Sequence, residues 1–333
     1  MFNQGKKKWA MLAALVIGTA VVAGCGGAQN EKTASSAAAK AVTWTETIGG
    51  QSKEMKVTAP PKHAVSMSQA TTEMMLALGL ENQMAGTAFK EEDIYEPLQK
   101  SYEKVPVLAE KWPSYEKLMS VKPDFVTGWE VPFTKRGIPA EQIEAQNIPI
   151  FVPDSMQSTK ADLDMLFKDM EKLGEIFGAK DKADKWVADE KAKLATVQNK
   201  IKDLPHKKVF VFDSEDKDPF TAFEGYTTNV LKMVGADNVM SGQGVDKTWA
   251  KTSWENVVAA NPDYILVVDY GTSIRNDDDF QKKVAKLKEN PQLANVNAVK
   301  QNHFIRVKLS EITPGVRTVD ALERIGKDLH ENK

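Results

Sequence analysis

Cysteine occurs once in the 333 residues and histidine four times. A lone Cys excludes a disulfide framework and any Cys-based zinc site. The histidines His63, His206, His303 and His330 are scattered along the chain. A bare transition-metal site needs about three or four convergent His or carboxylate ligands, so no metal site is expected. Net charge is also missing: 44 basic against 46 acidic side chains give −2. A nucleic-acid partner, which requires a basic face, is therefore not expected. No apolar run reaches the ~20 residues that span a bilayer as a helix. Motifs of nucleophilic, zinc-hydrolase and phosphate-binding chemistry (G-x-S-x-G, H-E-x-x-H, G-x-x-x-x-G-K-[ST]) are absent as well. What remains is 42% hydrophobic and 27% charged residues, the balance of a globular chain rather than a disordered or collagenous one. The length favours two domains.

The N-terminus carries Lys6-Lys7-Lys8, then an apolar run from Trp9 to Ala23, then Gly24-Cys25. A basic start, a short apolar stretch and small residues before a cut site predict a secretory signal over 1–24. The single Cys closes that run, and the segment resembles a bacterial lipobox, in which the Cys is lipidated. The resemblance implies Cys25 carrying acyl chains, with membrane contact through that anchor only. Residues 25–41, rich in Gly, Ala, Ser and Lys, read as a flexible tether. Removal of the signal leaves 41 basic against 46 acidic side chains, about −5.

The chain repeats itself. Ser114-Tyr-Glu-Lys-Leu-Met-Ser-Val-Lys-Pro-Asp-Phe-Val126 aligns with Ser253-Trp-Glu-Asn-Val-Val-Ala-Ala-Asn-Pro-Asp-Tyr-Ile265, with Ser, Glu, Pro and Asp at fixed places. Thr71-Thr72 through Gly79 aligns with Thr227-Thr228 through Gly235. The spacing is too large for a solenoid and implies two lobes of related design. In each copy a short buried strand leads to a helix ended by Gly79 or Gly235. A second helix, capped by Ser114 or Ser253, stops at Pro123 or Pro262 and gives way to another buried strand. Such alternation predicts an α/β fold with mostly parallel sheets. Between the copies, Leu163, Leu166, Phe167, Met170, Leu173 and Phe177 recur at helical spacing opposite a charged face. We expect a long or broken helix here, interrupted at Gly178. The expected organisation is a first lobe over 42–157, a linking helix over 158–203 and a second lobe over 204–333.

At this point the residues resemble the helix-linked solute-binding proteins of ABC transporters, which carry ferric siderophores, haem or cobalamin. The resemblance rests on Ala64-Val-Ser-Met-Ser-Gln-Ala-Thr-Thr-Glu73, Val105-Pro-Val-Leu108, Pro113 to Glu116, Lys122-Pro-Asp124, Asp269-Tyr-Gly271 and Thr313-Pro-Gly-Val-Arg317, in that order. It implies two α/β lobes joined by a long helix, a ligand cleft between them and no enzymatic activity or cofactor. A helical bridge bends little, so closure should be small. Glu116 and Glu255 stand at equivalent places, one per lobe. In the family, glutamates at this place dock the binding protein on its permease, and a homodimeric permease offers two equal surfaces to such a pair. An acid in the first helical turn also complements the helix dipole.

Ligand residues are expected on loops after strands. In the first lobe these are Ser68, Gln69, Lys111, Trp112 and Trp129 with Glu130, and Arg136 beyond. In the second they are Phe220, Phe223, Glu224 and Tyr226, then Trp249, Tyr270 to Arg275, and, by the family motif, Arg317. Aromatics beside cations suit a large, flat, oxygen-rich ligand. The expected cargo is a ferric siderophore or another large iron or cobalt chelate, bound by a monomer and passed to an ABC permease dimer. Corrinoid or haem is the alternative. An exported hydrolase using Glu73 and Glu130, or a surface sensor, is the rival of another class.

Overall fold

The computed structural model describes residues 41–270 and 280–331. Lipobox Cys25 and cleft candidate Arg275 lie outside the described residues. The first half opens with an antiparallel hairpin, Val42–Ile48 paired with Gln51–Val57. A parallel five-stranded sheet follows, ordered Val107–Ala109, Met84–Ala88, Ala64–Ser66, Phe125–Thr127, Ile150–Phe151. The second half holds a parallel four-stranded sheet, ordered Ala236–Asn238, Lys207–Phe212, Tyr264–Val268, Phe304–Val307. Beside it lies a small antiparallel sheet of Trp249–Lys251, Pro219–Ala222 and Ser214–Glu215. Apart from the outer strand Val107–Ala109, the two parallel sheets have the same strand order, so the sequence repeat is also a repeat of topology.

The strands Ala64–Ser66, Phe125–Thr127 and Tyr264–Val268 are buried along their whole length because both faces are covered, as parallel sheets require. Ala64 and Phe125 face a core shared with the second half, while Val65 and Val126 face a separate cluster with Leu118, Phe133 and Ile143. In the second half Val209, Val211, Leu266 and Val268 join the shared core, and Phe210, Phe212, Ile265 and Val267 pack on Trp254 and Leu287.

The repeated motif does the same work twice. Ser114 and Ser253 cap the helices Tyr115–Ser120 and Trp254–Ala260, accepting from Lys117 N and Asn256 N at 3.2 Å each. The Asp of each Pro-Asp pair ties the neighbouring strand. Asp124 accepts from Lys62 N (2.8 Å) and His63 N (2.9 Å), and Asp263 accepts from Lys208 N (3.0 Å). The second Thr of each Thr-Thr pair fixes its helix to the next strand: Thr72 bonds Thr87 at 2.6 Å, and Asn238 Nδ2 donates to Thr228 at 2.7 Å. Gly79 ends the helix Gln69–Ala77 at φ +62, and its N–H and that of Leu80 cap the carbonyls of Leu76 and Met75.

The segment between the sheets is two helices, Leu163–Ile176 and Lys180–Ile201. The chain turns at Gly178 (φ +65) and the helices pack on one another. Their approach is close: a Cβ on Gly174 would stand 2.5 Å from that of Ala183, and the rings of Phe167 and Trp186 are 6.1 Å apart. The longer helix buries Ala183, Val187, Leu194 and Val197, and its outer face carries the ion pairs Lys180–Asp184 and Lys185–Asp189. It packs on the last helix, Thr318–His330. No helix among the described residues is long and apolar enough to cross a membrane.

Candidate functional site: a cleft between the two halves

Loops from both halves enclose a cleft of about 240 Å³. Ser68, Trp129 and Ser155 line it from the first half, and Tyr226, Thr227 and Trp249 from the second. Ser68 sits here because it caps the helix that follows the first strand, accepting from Thr71 N at 3.3 Å. Tyr226 opens the equivalent helix of the second half, and its hydroxyl donates to Thr318 Oγ1 at 2.9 Å. Trp129 follows the strand Phe125–Thr127. Its ring lies 6.1 Å from Phe89, which in turn stacks on Trp112 at 4.9 Å. Trp249 starts a strand of the small sheet and stacks on Phe220 at 6.1 Å. The cleft thus has an aromatic wall from each half.

A smaller pocket of about 40 Å³ adjoins it, sharing Ala70, Glu91, Leu309, Thr313 and Pro314. Gln69 and Tyr270 line this one. Gln69 is an internal fastener: its Oε1 accepts from Glu91 N (2.7 Å) and Glu92 N (2.9 Å) and its Nε2 donates to Glu73 (3.0 Å). The Tyr270 hydroxyl donates to Asp213 at 2.5 Å.

The remaining expected ligand residues are placed elsewhere. Lys111 and Arg136 are exposed and do not line the cleft. Lys111 follows the outermost strand of its sheet, and Arg136 follows the short turn Val131–Phe133. Trp112 supports Phe89 from behind and donates to Met67 O at 3.1 Å. Phe223 is 2% exposed and belongs to the core under the second sheet. Arg317 is a strut between the halves. Its Nε donates to Glu73 Oε2 at 2.8 Å, its Nη2 to Glu73 Oε1 and, at 2.7 Å, to Asp93 O. It is 5% exposed and Glu73 2%, so this ion pair is shielded from water. Glu73 is therefore committed to Arg317, and Glu130 accepts from Gly49 N at 2.8 Å. Further ties run alongside: Tyr95 OH donates to Asp320, Lys193 pairs with Asp320 at 3.0 Å, and Ser310 N donates to Glu92 at 3.2 Å.

Sequence reasoning missed Glu91, Ser155, Met156 and Leu309 in the cleft wall. Ala70, Thr227, Thr313 and Pro314, also in the wall, stood within the motifs at 64–73, 227–235 and 313–317. Burial, and next the charge of Glu92, push the Glu91 carboxyl up to about 7. Each histidine with a described partner holds backbone or a surface acid: His303 Nδ1 with Asp263 O, His330 Nε2 with Val234 O, His206 Nδ1 with Asp237. Among the described residues no group of three or more His, Cys, Asp or Glu is arranged to hold a metal ion.

Glu116 and Glu255 are both exposed, each in the first turn of its Ser-capped helix. In both, the carboxyl is held below its usual range by its own backbone N–H and then by the capping serine.

The family model described as periplasmic binding protein matches residues 65–309. An uncharacterized ABC transporter substrate-binding lipoprotein of Bacillus subtilis, YvrC, is 27% identical over 98% of both chains. The petrobactin-binding protein YclQ of the same organism is 24% identical over 90% of both. Among solved structures, a periplasmic binding protein from Veillonella parvula is 66% identical, with a TM-score of 0.86 over 88% of this chain and 99% of that one. With two lobes built on parallel sheets and a cleft between them, the chain belongs to the periplasmic binding protein family: it is a helix-linked solute-binding protein of the ABC-transporter type, and not an enzyme.

Proposed function

We propose that the chain is the lipid-anchored, extracytoplasmic solute receptor of an ABC importer. In this reading it captures a ferric siderophore complex between lobes 42–157 and 204–333, hinged on 158–203, and delivers it to a dimeric permease. The observation that carries the reading is the cleft with an aromatic wall from each half, Trp129 on one side, Trp249 and Tyr226 on the other. Two ring faces across a cleft suit a ligand too large for a single hydrogen-bonded pocket. The anchor is assigned to Cys25. Docking is assigned to Glu116 and Glu255, whose matched settings on equivalent helices suit two equivalent arginine-bearing surfaces.

A corrinoid or haem is the second reading. It is favoured by the make-up of the wall: the described residues lining the cleft bring the rings of Trp129, Trp249 and Tyr226 and no Lys or Arg.

Tryptophan fluorescence of the purified protein, titrated with ferric siderophores, haem and cobalamins, tests the proposal. Saturable quenching by a ferric siderophore, weakened by Trp249→Ala, is the expected result. Quenching by cobalamin or haem alone would transfer the assignment to the second reading.

A further inference from the structure

Phe89 is an exception in the backbone. Five non-glycine residues among those described take a positive φ, and three of them are asparagines, Asn147, Asn261 and Asn302. Asparagine enters the left-handed region readily, but a bulky aromatic there is an outlier that its surroundings must hold in place. Phe89, at φ +59, follows the strand Met84–Ala88 and opens the loop that brings Glu91 to the cleft. The turn ties that loop to the first helix, because Glu91 N and Glu92 N both reach Gln69 Oε1. A glycine would make the same turn without strain, so turning the chain does not account for a phenylalanine.

The left-handed backbone also decides where the ring goes, and the ring meets two tryptophans. It stacks on Trp112, with centroids 4.9 Å apart and planes inclined by 16°. Trp112 is itself anchored, its Nε1 donating to Met67 O at 3.1 Å. The second neighbour is Trp129, at 6.1 Å and 43°. Trp129 lines the cleft, yet its buried Nε1 has no hydrogen-bond partner. No hydrogen bond from the indole therefore sets the angle of that ring, and ring contact must do so. Phe89 supplies such a contact and carries it back to an anchored tryptophan.

We infer that Phe89 is a positioning residue of the cleft. Its strained backbone sets its ring against Trp112, and the same ring holds Trp129 at the angle in which it meets the apolar or ring surface of a bound chelate. The strain is tolerated because it pre-organises a ligand contact. This rests on the reading of the cleft as a chelate site given above.

The test labels the purified protein with 5-fluorotryptophan and identifies the Trp129 fluorine resonance by its loss in Trp129→Phe. In the parent this resonance should be one sharp line. Phe89→Leu, which keeps apolar bulk and removes the ring, should broaden or split it. Phe89→Tyr, which keeps the ring, should leave it sharp. Fluorescence titration with a ferric trihydroxamate, haem and cyanocobalamin reads the consequence for binding. Phe89→Leu should bind whichever probe the parent binds roughly tenfold more weakly, the scale of one aromatic contact, and Phe89→Tyr should restore the affinity. Melting temperatures isolate the strain: Phe89→Gly should melt above Phe89→Ala, since both lack the ring and only alanine is strained at this φ. A Trp129 line unmoved by Phe89→Leu, or an affinity unmoved by it, overturns the inference. Phe89→Ala melting at or above Phe89→Gly overturns the strain. Binding of none of the three probes by the parent overturns instead the chelate-site reading, while the Trp129 resonance still decides whether Phe89 holds the ring.

Discussion

At the scale of single residues, the most consequential pair is Glu73 and Arg317, 244 positions apart and joined through two guanidinium nitrogens in a nearly dry setting. Removing one partner of a buried pair leaves an uncompensated charge, which costs far more than the pair itself contributes. Arg317→Met should therefore lower unfolding free energy by about 3–5 kcal/mol, read from urea melts. Glu73→Gln combined with Arg317→Met should recover most of that loss, since Gln69 and the Tyr95 N–H still offer partners at position 73. A single variant as stable as the parent would contradict the strut. The sequence held half of this: Glu73 and Arg317 each stood in a recognisable motif. Their pairing was not legible, because nothing local marks a partner at that separation, and an Arg after Pro-Gly reads equally well as a ligand contact. Trp129 and Trp249 were legible as cleft residues because each follows or starts a strand. Lys111 satisfied the same rule, but it follows the outermost strand of its sheet, whose end opens to solvent, and Arg136 lies past the turn Val131–Phe133, beyond the strand end that places Trp129.

At the scale of elements, two buried acids fasten loops to their neighbours. Glu46, on the first hairpin, accepts from Val152 N at 2.8 Å, and Asp169, on the helix Leu163–Ile176, accepts from Asp154 N and Ser155 N at 2.9 Å each. Burial dominates over these bonds and pushes Glu46 up to about 7 and Asp169 up to about 6, from ordinary values of 4.5 and 3.8. A carboxyl raised on folding contributes stability that is full below its unfolded value and is lost as pH rises through the folded one. The two contributions should thus fade between about pH 4 and pH 7. Glu46→Gln, which stays neutral, should gain stability relative to the parent as pH is raised from 5 to 8, by on the order of 1–3 kcal/mol. Paired thermal melts across that range check the sign; a relative loss with rising pH would contradict it. None of this was visible beforehand, since Glu46 alternates with Thr in a strand that reads as surface. The caps were visible: Ser114, Ser253, Gly79 and Gly178 mark ends through backbone geometry, which is local. The helical segment 158–203 showed its periodicity and its interruption, yet not that the two pieces fold back on each other. That contact is made by Gly174 and Ala183, small residues with no periodic signature.

At the scale of the whole molecule, one hydrophobic core runs from Phe125 and Phe177 through Leu194 and Val197 to Leu231, Leu266 and Ile325. It joins both sheets through the paired helices, and the strut of Glu73 and Arg317 crosses beside the cleft. A continuous core and a buried ion pair both oppose hinge opening. The duplication was legible because its anchors (Ser caps, Pro stops, strand-tying Asp) are set by local chemistry. It led directly to Glu116 and Glu255, whose equivalence is the basis of the proposed hand-over. The most direct measurement is uptake of a bound chelate by cells carrying the cognate permease, with the receptor changed at Glu116→Lys and Glu255→Lys together and its chelate affinity measured in parallel. The account predicts lost uptake with affinity unchanged; uptake that persists, or affinity that collapses with it, would contradict the assignment of these two carboxylates to docking.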